Sequence, residues 1–161
     1  MGLIYGKNGI RKLMVGYPTV ADKYDVFPAV LDNASAEVYP GDVVVVTGDH
    51  SVYEAASSIA DFEEVAGIVL ATNVKVPSAY PAPAGPVAYQ PGEAFNLIKR
   101  GFIAVKLDAD AVLDDATENA PVFITAAGKI TTDSTSNIAT PWKFTGVSEL
   151  HGTDKVAEIV M

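Results

Sequence analysis

The sequence has no cysteine, which excludes disulfides and thiolate metal sites. Histidine is scarce: only His50 and His151 are present, and acid–base catalysis near neutral pH most often uses that side chain. Long apolar runs are also missing. The longest, Val43-Val44-Val45-Val46, is strand-sized, far short of the roughly 18 residues that a membrane helix needs. The start, Met1-Gly2-Leu3-Ile4-Tyr5-Gly6, lacks the basic lead and apolar stretch of a signal peptide. The chain is therefore expected to be soluble and unprocessed, with no membrane partner.

What is present is a chain of 161 residues, enough for one domain with a real core and an appended arm. Its net charge of −9 argues against a nucleic-acid partner. The charge is uneven. Residues 1–21 carry Lys7, Arg11 and Lys12 and no acid, whereas the rest holds 8 basic and 20 acidic side chains. A basic arm on an acidic body suggests docking onto something acidic.

Residues 1–37 read as an extended N-terminal arm. Glycines and Pro18 are mixed there with apolar residues that follow neither a strand nor a helix period. An irregular segment this apolar is expected to lie against a surface. Residues 38–161 read as a β-rich domain of short strands separated by Gly and Pro. Val43 to Thr47, Val65 to Ala71 and Phe102 to Leu107 are strand-like, the last with Ile103, Val105 and Leu107 on one face. Ala94 to Leu107 is expected as a hairpin through Lys99-Arg100-Gly101, and residues 121–132 as another. Residues 54–62 have the spacing of two helical turns, and the five prolines between Pro77 and Pro91 mark a rigid loop. Trp142 and Phe144 lie on one side of a strand, and His151-Gly152-Thr153-Asp154 turns into Val156 to Val160. The fold class is mainly β, an antiparallel sandwich or barrel with an extended N-terminal arm.

A search for chemistry finds little. Asp49-His50-Ser51 holds the residue types of a serine triad, but neighbours in a turn cannot hydrogen-bond in series. Asp108, Asp110, Asp114, Asp115 and Glu118 fail the calcium-loop pattern, since Val112, Leu113 and Asn119 occupy diagnostic positions. Gly6-Lys7-Asn8-Gly9 lacks the ending of a phosphate loop. No catalytic residue, cofactor or metal is assigned, and the chain is expected not to be an enzyme.

The stretch from Tyr89-Gln90-Pro91-Gly92-Glu93-Ala94 through Lys99-Arg100-Gly101 to Leu107 resembles a segment of bacteriophage capsid cement proteins. Pro40-Gly41-Asp42-Val43, Val65-Ala66-Gly67-Ile68 and Pro121-Val122-Phe123-Ile124 fit the same family in order. Pro91, Gly92, Glu93, Arg100 and Gly101 are then its motif turns. The resemblance implies a decoration protein on the outer capsid surface of a virion, made in the host cytoplasm. It would clamp neighbouring copies of the major capsid protein and associate with itself as a homotrimer. Leu3, Ile4, Tyr5, Arg11, Lys12, Leu13, Met14 and Tyr17 are the expected capsid contacts of the arm. The competing reading is a carbohydrate-binding or adhesin-like sandwich, which would want exposed aromatics, and Trp142 is the single tryptophan.

Overall fold

A β-branched run without polar alternation belongs in a strand covered on both faces, and Val43–Thr47 is such a strand. In a computed structural model, residues 13–20, 24–48, 51–71 and 87–161 are described. They form β1 (Asp25–Val30), β2 (Val43–Thr47), β3 (Val52–Ala55), β4 (Val65–Val69), β5 (Ala94–Arg100), β6 (Phe102–Lys106), β7 (Pro121–Ile124), β8 (Ile130–Thr131), β9 (Ile138–His151) and β10 (Asp154–Val160). Two antiparallel five-stranded sheets result, ordered β1-β5-β4-β2-β3 and β6-β10-β9-β7-β8. The fold is mainly β and of sandwich type, as the sequence indicates.

The two sheets bury one shared core. Val43, Val45, Ile68 and Ile98 from the first sheet meet Ile103, Val105, Ile124, Phe144 and Ile159 from the second. The opposite face of the first sheet is also apolar. Val44, Val69, Leu97, Phe95 and Leu31 form a second cluster, and the sheet curls enough that Leu31 and Tyr53, at its two edges, form a parallel bridge. This double coverage explains the unbroken valines of β2. In β4 the pairing slips between Val65 and Gly67 opposite Val44 and Val45, a bulge that re-aims the following side chains. Gly67 is required there, because a Cβ would stand 2.6 Å from the Ile98 carbonyl oxygen.

Three expectations need correction. The 94–107 segment is not a hairpin: β5 and β6 lie in different sheets. Gly101, with φ of 126°, carries the chain between them while exchanging backbone bonds with Met161. A single intervening residue cannot reverse a strand onto its neighbour, since the shortest common hairpin loops have two. Residues 54–62 are not a helix, because Val52–Ala55 pairs along β2 and only Phe62–Glu64 turns, as one 3-10 turn capped by Asp61. Finally, residue 37 marks no structural break. β1 pairs with β5 from Asp25 to Val30, with Phe27, Ala29 and Leu31 turned into the second cluster. The hairpins over 121–132 and 142–160 form as expected, as β7–β8 and β9–β10.

Candidate functional site

Residues 13–19 form a strap along the free edge of β6. The Gly16 N–H donates to the Ala104 carbonyl at 2.8 Å, the Ala104 N–H to Tyr17 at 3.3 Å and the Thr19 N–H to Phe102 at 2.9 Å. The Ala71 N–H, just past β4, donates to the Gly16 carbonyl at 2.7 Å. The strap therefore ties the first sheet to the second. It passes so close to the Tyr39-Pro40-Gly41-Asp42 turn that side chains are excluded on both sides. A Cβ on Gly16 would lie 2.4 Å from the Pro40 Cβ, and one on Gly41 would lie 2.5 Å from the Val15 Cγ1. Both glycines also have positive φ, 80° and 91°, where other residues are strained.

Leu13 anchors the start of the strap. Its side chain is fully buried against Ala104 and Val156. Its N–H donates to Glu149 Oε1 at 2.6 Å, and the same oxygen lies 2.6 Å from His151 Nε2. Of the expected contacts, Leu13 is thus spent on the protein's own body, while Met14 is exposed and Tyr17 half-buried. Leu3, Ile4, Tyr5, Arg11 and Lys12 lie outside the described residues, as does His50. His151 is engaged with Glu149 rather than with a nucleophile.

Beside the strap lies a groove of about 1110 Å³, lined by Met14, Tyr17, Tyr39, Lys106, Lys129 and His151 among others. Lys106 pairs with Asp154 at 2.8 Å. Asp42 stands at the groove with its carboxyl pushed up by burial, an effect opposed by the Tyr39 N–H and by Lys129 and Lys106. The motif turn Pro91-Gly92-Glu93 sits on the end of β1. The Gly92 N–H donates to the Leu31 carbonyl at 2.8 Å and the Leu31 N–H to Glu93 at 3.0 Å. Next to it, Gln90 and Tyr39 donate to Glu37, and the Gln90 bond foremost holds that carboxyl below its ordinary range. Arg100 and Gly101 are the crossover between sheets, so the two motif turns lie at the two ends of β5.

Among the described residues, no group of three or more His, Asp or Glu side chains is arranged to hold a metal ion. Asp110, Asp114, Asp115 and Glu118 are exposed. Trp142 is buried edge-on to Phe62 and offers no face to a sugar. Sequence reasoning missed Glu149, Ala104 and Val156. Only Gly16 and Gly41 carried a signal, as glycines flanking turns. Glu149 carried none, because its partner stands 136 residues away.

A chain of the solved structure of the capsid of Myoviridae phage XM1 has the same fold, with a TM-score of 0.67 at 21% identity over 92% of this chain and 89% of that one. No curated protein matches the sequence. The model of the family described as structural cement protein (E217 gp24/Pam3 gp6) matches residues 5–161. With the match extending over nearly its whole length, the chain belongs to the phage structural cement protein family.

Proposed function

We propose that the protein binds the outer surface of a phage head and clamps neighbouring major capsid subunits, stabilising the shell without catalysis. The observation that carries this reading is the anchoring of the chain at Leu13, whose side chain and N–H are both fixed on the second sheet. The residues before the anchor, with Leu3, Ile4, Tyr5, Arg11 and Lys12, would be the contact with the shell. Apolar area supplies affinity, and the basic pair adds a salt-sensitive attraction. A homotrimer would multiply three such arms by avidity.

Co-sedimentation with heads that lack the protein tests the reading. Removing residues 1–12 leaves the strap intact, so far-UV spectrum and melting should not change while attachment weakens by about tenfold or more. Equal attachment of the shortened chain defeats the arm as the contact. A wider deletion through residue 21 is not a clean test, because it removes the strap with the arm. Sedimentation of the free chain at micromolar concentration checks the trimer.

A further inference from the structure

We propose that residues 13–19 are a releasable strap whose opening lengthens the arm, a role that rests on the clamping function above. The strap has a small buried apolar footing. It contributes to a cluster of three buried side chains, Leu13, Ala104 and Val156, whereas the inter-sheet core contains eighteen. Its backbone bonds to Phe102 and Ala104 lie at the outer edge of the second sheet. Elements with little buried apolar area open at lower free energy than the whole fold. Among the described residues, the strap precedes every strand in the chain.

The latch is placed for this. A pull on residue 12 reaches the Leu13 N–H first, and that group is held by Glu149 Oε1. His151 Nε2 contacts the same oxygen, so the carboxylate stays in position when Leu13 leaves and can take it back. Full release adds seven residues of extended chain, roughly 20–25 Å of reach. One chain could then span subunit spacings that differ around a shell, while the sheets stay folded.

Amide exchange in the full-length chain tests the opening. The Ala71 and Ala104 amides, bonded to the Gly16 and Tyr17 carbonyls, should exchange together and at least about tenfold faster than the amides of the β10 ladder. Leu13→Ala should accelerate both further and leave the β10 ladder unchanged. If both amides exchange at the β10 rate in the parent chain, the strap opens only on global unfolding and the inference is wrong. The absence of native cysteine permits a lock, Leu13→Cys with Val156→Cys. Oxidised, it should hold the strap shut and bind heads several-fold more weakly than the same chain reduced. Equal binding of the two forms overturns the role in reach. Loss of attachment on removing residues 1–12 is a separate readout, so the clamping function and the strap fail independently.

Discussion

Trp142 meets Phe62 edge to face, with ring centroids 5.3 Å apart and planes at 86°. Trp142 belongs to β9 of the second sheet, and Phe62 to the 3-10 turn that leads into β4 of the first. The pair therefore closes one side of the inter-sheet core, in the T-shaped arrangement that ring quadrupoles favour.

Trp142→Ala should cost roughly 3–5 kcal/mol in urea unfolding, the range for truncating a buried aromatic side chain. Phe62→Ala opens the same contact from the exposed side. Because the chain has one tryptophan, its emission reports on this site alone and should shift to the red in Phe62→Ala while the fold persists. An unshifted spectrum would place the indole in a different environment.

Val105 is fully buried in the inter-sheet core. Val105→Asp places a charge there without a partner, and the loss should be on the order of 4 kcal/mol. A parent-like melting curve would mean that β6 does not face the core.

Gly67→Ala should destabilise by about 1–3 kcal/mol, since the added methyl meets a backbone carbonyl that cannot rotate away. The neighbouring Ala66→Gly has no such clash and serves as the control. Equal effects of the two substitutions would remove the close approach as the reason for the glycine.

Burial raises the Asp42 carboxyl above its ordinary value. A raised folded-state value means that stability is greatest when the group is protonated. It is lost as pH rises from the unfolded-state value near about 3.9 through the raised one. Asp42→Asn has no such loss and keeps an oxygen for the Tyr39 N–H, which Asp42 Oδ2 accepts at 2.8 Å. Urea midpoints measured at about pH 3 and pH 7 should therefore move in favour of the variant as pH rises. Movement in favour of the parent would show that Lys129, Lys106 and the Tyr39 bond outweigh burial.

The strands with one-sided alternation or unbroken β-branched runs were legible in the sequence. Ile103, Val105 and Leu107 face the core as their spacing indicates, and the β9–β10 reversal at His151 falls where Gly152 marks it. β1 was hidden because its outer positions are apolar too. Tyr24, Val26 and Val30 are exposed while Phe27, Ala29 and Leu31 turn inward, so no polar contrast reveals the period. The passage from β5 to β6 was misleading for a different reason. Lys99-Arg100-Gly101 has the composition of a hairpin turn, and what decides its geometry is the pairing of Gly101 with the last residue of the chain. The seat of the strap was illegible on the same ground, for Leu13 and Glu149 meet only after folding.

That separation in sequence sets an order of events at the ribosome. The strap and β1 are made before the segments they dock on, for β1 needs β5 and the strap needs β6 and Glu149. Contacts of such long range form slowly, because the intervening chain must be closed into a loop first. This part of the chain therefore docks only after partners that are made later. Until it does, β5 and β6 present open edges that invite other strands. Pro28, on the outer strand β1, and Pro18, on the strap, cannot donate to a further ladder. Their docking gives the nascent sheets borders that resist extension by another copy.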